Sequence, residues 1–376
     1  MKFLIDRIAF RDALQKVEMA IGRKPTRPVL GGVLIEAKND QVVLMATDLD
    51  ISVRYTCHLV QVDSPGWTVL PGRELVEVIK DTESETITLC QENKNQCEIQ
   101  AGEDHCTLVC LESGAGEASP EAFPTVPVLS GKPSASIDKD TFILMVGSTR
   151  FATSKVQDSK FATEGVLLEF EEGQARMVST DGRRLACIRR KAEGMGEETL
   201  RAVLLPKVLD QVQSYGQGEE GSTIEIFLLG NLVGFRVGNL ESFGRVLDRE
   251  FPAYQKVIPD KGKHIVGAHR ESFSRKLRLA SHLTQESAAS VRLELKSHSL
   301  EITAETEGRG RAEAQFEVDY SGEGIEASFN PGFILEGLKA AHQDKIEMQL
   351  DEASRPARFI LGEDYDYVVM PLSNLK

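Results

Sequence analysis

The chain of 376 residues has no run of eighteen apolar residues, so no transmembrane helix is expected. Its start, Met1-Lys2-Phe3-Leu4-Ile5-Asp6-Arg7, is charged early and lacks a signal-peptide core, so a cytoplasmic location is expected. Cysteine is sparse. Cys57, Cys90, Cys97, Cys106, Cys110 and Cys187 form no Cys-x-x-Cys pair, so neither a disulfide framework nor a zinc site is expected, and reduced strand cysteines are. The histidines His58, His105, His264, His269, His282, His298 and His342 form neither His-x-x-x-His nor His-Glu-x-x-His, which leaves metal hydrolysis unsupported. Gly31-Gly32 and Gly114-Ala115-Gly116 lack the Lys-Ser/Thr of a phosphate loop, and there is no nucleophile elbow. No cofactor, metal or catalytic residue is expected. Positive charge is also in deficit. With 44 Lys and Arg against 58 Asp and Glu, the net charge is −14. The sum argues against a polyanionic partner, but the distribution decides.

What the chain does contain is a repeat. Pro71-Gly72-Arg73-Glu74-Leu75-Val76-Glu77-Val78-Ile79-Lys80 reads as a short amphipathic helix with Pro at its start. Pro206 and Pro331 open similar segments, with Val208, Leu209 and Val212 in one and Ile334, Leu335 and Leu338 in the other. Before each helix lies a strand: Gly32-Val33-Leu34-Ile35-Glu36, Gly165-Val166-Leu167-Leu168-Glu169, and Ser290-Val291-Arg292-Leu293-Glu294, stepped by 133 and 125 residues. A second strand reaches Thr47, Thr180 and Thr303, stepped by 133 and 123. Later strands recur around Ile87, Ile224 and Ile346. The last strands carry Val109-Cys110-Leu111-Glu112, Arg245-Val246-Leu247-Asp248 and Val368-Val369-Met370-Pro371. Recurrence in one order at near-constant spacing indicates three diverged copies, too long in period for a solenoid.

An apolar stripe of Phe10, Ala13, Leu14, Val17 and Ile21 predicts a helix opening the first copy, which Gly22 stops. Counterparts are expected over 142–150 and 273–283. Each copy therefore reads as two helices with antiparallel strands, an α+β fold in three tandem domains over 1–130, 131–259 and 260–376. The segments 113–133, with Phe123-Pro124, and 248–263, with Phe251-Pro252 and Ile258-Pro259, read as linkers.

Thr47-Asp48 and Thr180-Asp181-Gly182 end equivalent strands, while the third copy has Ala304. Turns that tie down their own backbone explain them better than catalytic carboxylates. Cations fall on or beside the helices, among them Arg7, Arg11, Lys16, Arg73, Lys80, Arg150, Lys155, Lys207, Arg275, Arg278 and Lys339. Acids crowd loops and strands, as at Glu171-Glu172 and Glu363-Asp364. One basic face on an acidic exterior is the pattern this permits.

Taken with the repeat, several motifs give the chain a resemblance to the bacterial DNA sliding clamps, the beta subunits of DNA polymerase III. They are Gly22-Arg23-Lys24-Pro25-Thr26 with Pro28-Val29-Leu30-Gly31, Thr47-Asp48-Leu49, Thr180-Asp181-Gly182-Arg183-Arg184-Leu185-Ala186, Phe251-Pro252-Ala253-Tyr254 and Tyr367-Val368-Val369-Met370-Pro371-Leu372. The resemblance covers the whole chain. It implies a homodimeric ring that encircles double-stranded DNA without sequence preference and confers processivity. Held by topology, such a ring needs only weak phosphate contacts. It also implies a pocket between the second and third domains for a short peptide of the polymerase III alpha subunit or the clamp loader. The matching positions are Thr180, Gly182, Arg184, Leu185, Pro252, Val257, Val368, Met370, Pro371 and Leu372. Thr163 stands where the family often has Leu, Lys256 where it often has Arg, and Ser373 where it usually has Arg, so the rim departs while the apolar floor matches.

We expect Arg23, Lys24, Arg73, Gln157, Lys160 and Phe161 to meet DNA, on the strength of the cationic loop and the basic helices. The dimer is expected to join the strand over 106–111, with Cys106 and Leu108, to a partner copy near Lys276 and Leu279. A scaffold of the same repeat that does not encircle DNA, and a hydrolase using Asp48 or Asp181, are the rival readings. The missing third acid and the lack of a partner His or metal set count against the enzyme.

Overall fold

The computed structural model describes the chain apart from residues 92, 94, 116–119, 157–159, 193–198, 215–221, 286–288 and 373–376. Gln157 and Ser373 therefore lie outside the described residues. The α-helices are α1 (Arg7–Glu18), α2 (Gly72–Asp81), α3 (Lys139–Thr149), α4 (Pro206–Ser214), α5 (Arg270–Ser281) and α6 (Pro331–Ala340), two for each repeat copy. The helices bury most of their predicted apolar positions. Helix α1 hides Phe10, Ala13, Leu14 and Val17, and α2 hides Leu75, Val76 and Ile79. A ten-residue helix is marginal in water, and those three side chains contribute on the order of 6 kcal/mol when buried, so packing holds it. Leu335 is only half-buried, unlike Ile334 and Leu338 beside it. Helix α1 also stops before Gly22. That glycine instead lets the chain approach itself, since its N–H donates to Leu30 O at 2.8 Å and a Cβ there would lie 2.9 Å from the same oxygen.

Two compact units result, and neither coincides with one repeat copy. The first contains Met1–Asp140 and Lys207–Val246, and the second takes most of the remaining chain. In the first unit, Val60–Ser64, Lys2–Asp6, Thr86–Cys90, Gln96–Ala101 and Asp104–Val109 form a five-stranded sheet in that order. A nine-stranded sheet then runs through Gly32–Lys38, Gln41–Thr47 and Ile51–Cys57 into Leu240–Arg245 and Leu232–Val237 of the middle copy. The join is an antiparallel ladder with Ser52 opposite Phe243.

The second unit repeats the device. Its eight-stranded sheet runs from Leu200–Leu204 through Val166–Glu171, Gln174–Thr180 and Arg184–Lys191 into Tyr365–Val369 of the third copy. Here Leu185 faces Val368. A four-stranded sheet, ordered Gly310–Glu317, Ser299–Thr306, Val291–Lys296 and Ile325–Phe329, completes it. The middle copy is thus divided between two sheets, because ladder pairing across copies buries backbone polar groups that would otherwise be edges.

One expected boundary moves. The last strand of the first copy ends at Val109, not at Leu111. Cys110 N–H still bonds Asn95 O at 2.8 Å, but Leu111 N–H turns to Val69 O at 2.8 Å, and Glu112–Ala115 joins the other sheet. The cysteines are all free. Burial pushes the Cys187 thiol up to about 12, which leaves it an inert core group. No helix among the described residues is long and apolar enough to cross a membrane.

Candidate functional site

The Thr-Asp turns build themselves. Thr47 Oγ donates to Ile51 O at 2.9 Å and accepts Leu49 N–H at 3.1 Å, while Asp48 Oδ1 accepts the N–H groups of Asp50 and Ile51. Thr180 Oγ donates to Arg184 O at 2.7 Å, and Asp181 Oδ1 accepts from Arg183 and Arg184. Both turns need a left-handed residue, Leu49 at φ 79° and Gly182 at φ 82°. The carboxylates are engaged in backbone capping, and no cluster of metal-ligating side chains occurs among the described residues.

In the second unit the Thr180 turn forms one wall of a cavity of about 410 Å³. Of the ten residues expected here, Thr180, Gly182, Arg184, Leu185, Pro252, Val257, Val368 and Met370 line it. Pro371 and Leu372 do not. Leu372 N–H instead bonds Ser328 O, in the strand Ile325–Phe329, at 2.8 Å. The floor is a continuous apolar cluster that includes Leu167, Val178, Leu185, Phe251, Tyr254 and Val368. Val156, Val257 and Met370 remain exposed at its mouth, at 74%, 43% and 39%.

Four lining residues escaped the sequence expectation, and a fifth was expected elsewhere. Ser154, Val156, Asp181 and Tyr254 belong to the first group, and Phe161 was expected at DNA. Tyr254 was legible in the Phe-Pro-Ala-Tyr motif, but its role was not. Its ring lines the cavity while its hydroxyl donates to Glu169 Oε2 at 2.7 Å and accepts from Arg176 at 3.1 Å. Burial, and then the bond to Glu169, push its pKa far above the ordinary tyrosine value, so the phenol stays neutral and fixed. Thr163 also lines the cavity, which puts a hydroxyl on that wall, whereas Lys256 is absent from the lining.

Arg184, expected among the pocket residues, lines the cavity but is only 8% exposed. Its Nε donates to Asp181 at 3.1 Å, its Nη1 to Glu336 of α6, and its Nη2 to Phe151 O at 3.0 Å. The guanidinium lies between the Phe151 and Phe333 rings, 5.6 and 4.6 Å from their centroids. Burial opposes its charge, but Tyr367 and Glu336 outweigh burial and raise its pKa. Arg184 therefore fastens the Thr180 turn to α6. Arg184→Ala is expected to cost about 2 kcal/mol in denaturant unfolding, discounted because Glu336 is half exposed. Arg184→Lys should restore little, since an ammonium cannot stack between two rings and serve three acceptors in one plane. A loss below about 0.5 kcal/mol, within the range of ordinary surface substitutions, would exclude this role.

Arg23, Lys24, Arg73 and Lys160 are exposed. In the first unit Arg73 Nη2 donates to Arg23 O at 3.2 Å, and both side chains border a second cavity. In the second unit Lys160 lies over the Phe161 ring, 4.8 Å from its centroid. The structure thus brings Arg23 and Arg73 together and sets Phe161 on the peptide-sized cavity.

Sequence models of the DNA polymerase III beta subunit match the chain three times: the N-terminal domain at residues 1–118, the central domain at 136–253 and the C-terminal domain at 255–373. The beta sliding clamp of Pseudomonas putida is 28% identical over 378 residues, covering 99% of this chain and all of that one. That of Chlamydia muridarum is 27% identical over 372 residues and covers 99% of both. The crystal structure of the DNA polymerase III subunit beta from Pseudomonas aeruginosa superposes with a TM-score of 0.91 at 26% identity, covering 99% of this chain and 100% of that one. With three consecutive domain matches and a common fold over nearly its whole length, the chain belongs to the DNA polymerase III beta subunit family, the bacterial sliding clamps.

Proposed function

We propose that this DNA sliding clamp acts as a head-to-tail homodimer that closes around duplex DNA in the cytoplasm. One observation carries the reading. Within the chain, the strand after the Thr47 turn pairs with the last strand of the middle copy, and the strand after the Thr180 turn pairs with the last strand of the third. The equivalent strand of the third copy, Gly310–Glu317, and the last strand of the first, Asp104–Val109, each end a sheet. A second copy of the chain satisfies both edges at once, and the same contact made twice closes a ring. Helix α5 supports this placement. Phe273 packs on Phe316 of the open-edged strand, with ring centroids 5.4 Å apart, and Leu279 of the same helix is 54% exposed. The domains are taken as 1–130, 131–259 and 260–376.

The clamp is a processivity factor and not an enzyme. Duplex DNA would be met by Arg23, Lys24, Arg73, Gln157 and Lys160, with Phe161 beside them. The cavity bordered by Met370 would take a short apolar peptide of the polymerase alpha subunit or the loader. A net charge of −14 is compatible with this, because topology rather than affinity retains the ring and sparse cations let it slide.

The test is retention on nicked circular DNA compared with the same DNA linearised. Loss only after linearisation supports encirclement, and equal behaviour on both favours the non-encircling scaffold. Reversing Arg23, Lys24, Arg73 and Lys160 together to Glu is expected to reduce loading and processive synthesis at least tenfold with unfolding unchanged, since exposed charges contribute little to stability. Normal processivity in that variant would remove these residues from the DNA path.

A further inference from the structure

The two within-chain junctions are built alike but filled differently. The repeat places Met19 where the second copy has Phe151, and Ile51 where it has Arg184. In the second unit the planar guanidinium of Arg184 occupies the space between two aromatic rings. In the first unit Met19 and Ile51 line a cavity of about 570 Å³, and among the described residues no guanidinium stacks between rings there. That is within the range of pockets that take small ligands.

The chemistry of the lining is divided. Met19, Ile21 and Ile51 give it an apolar floor. Lys207 of α4 is held by Asp48 and lies 4.0 Å from Asp50, so its charge is answered within the protein. Arg23 and Arg73 differ. Among the described residues no ion pair joins either to a carboxylate, and the bond from Arg73 to Arg23 O holds their backbone and side chain together at the rim. Glu18 and Asp210 also line the cavity.

We infer that this cavity is a binding site for a nucleoside 5′-phosphate. The two guanidiniums would hold the phosphate by charge-assisted hydrogen bonds. The base would lie against Met19, whose thioether packs well with a planar ring, and against the isoleucines. Glu18 would accept from an exocyclic amino group. This deepens the DNA-binding reading, on which it rests for Arg23 and Arg73. The nucleotide comes either from solution or from an unpaired position in a DNA strand.

The probes are deoxyadenosine 5′-monophosphate and deoxyadenosine, titrated onto the full dimer by ligand-observed NMR. Binding of the monophosphate is expected, at least fivefold tighter than the nucleoside. Met19→Trp, at a side chain 42% exposed, should fill the floor and weaken the monophosphate at least fivefold while retention on circular duplex DNA stays unchanged. Arg73→Gln should weaken the monophosphate but not the nucleoside. DNA with 5-iododeoxyuridine in a single-stranded overhang distinguishes the sources. Photocrosslinking to the first unit that Met19→Trp abolishes identifies a strand nucleotide, and monophosphate binding without crosslinking identifies a free one. No monophosphate binding, or binding indifferent to Met19→Trp, overturns the site. Loss of circular-DNA retention in the unmodified protein with nucleotide binding intact would overturn the clamp reading instead.

Discussion

Leu108→Asp is expected to convert the dimer to monomers and to abolish retention on circular DNA. Leu108 stands in the last strand of the five-stranded sheet, opposite Cys97, and among the described residues no strand pairs on the other side. It is half-buried, so the partner copy would complete its burial. A ladder along the six residues of that strand offers several backbone hydrogen bonds, each contributing about 1 kcal/mol net. Burying the leucine adds about 2 kcal/mol, and a carboxylate in its place reverses that contribution and must be desolvated. Together these amount to roughly 3 kcal/mol or more, on the order of a hundredfold in dimer affinity. Sedimentation across a concentration series reads the change. Val109→Lys guards against misfolding as the cause, because Val109 is 63% exposed and its replacement leaves the hairpin core intact. If both variants sediment as the parent dimer does, the interface lies elsewhere.

The second large effect concerns the peptide cavity. A chain ending at Val369 is expected to lose partner-peptide binding by at least tenfold while melting within a few degrees of the parent. Met370 lines the cavity and is 39% exposed, so a bound peptide would cover it. Its loss removes about 1.5 kcal/mol of apolar contact, or roughly a factor of ten in affinity. A short peptide has few such anchors, and its whole affinity is on the order of micromolar. Against this, among the described residues the fold loses the bonds from Met370 N–H to Arg183 O and from Leu372 N–H to Ser328 O, and no side chain from the apolar cluster beneath. Fluorescence anisotropy with a polymerase-derived peptide and a thermal melt separate the outcomes. Retained binding would exclude Met370 from the site. Global unfolding would make the C-terminal segment a part of the core.

The repeat, the six helices and the self-tied Thr-Asp turns were determined by the sequence itself. Each depends on residues within a few positions of one another, as with Leu75, Val76 and Ile79 on one helical face or Asp181 accepting from Arg183 and Arg184. The family resemblance added much of the cavity's lining, because the motifs that carry it supply Leu185, Pro252, Val368 and Met370. Tertiary structure alone decided the rest. The division of the middle copy between two sheets comes from ladders such as Ser52 with Phe243, between strands far apart in the chain. The release of the chain after Cys110 follows from the backbone bond of Leu111 N–H to Val69 O, which no local pattern announces. Arg184 reads in sequence only as a pocket cation, yet it is a fastener, because Glu336 reaches it from 152 residues away and two rings lie against it. Periodicity reports which face a residue occupies. Which distant groups arrive at that face is set by packing: Ile51 lines a cavity in the first unit, whereas Arg184 at the equivalent position of the second lies over the Phe333 ring.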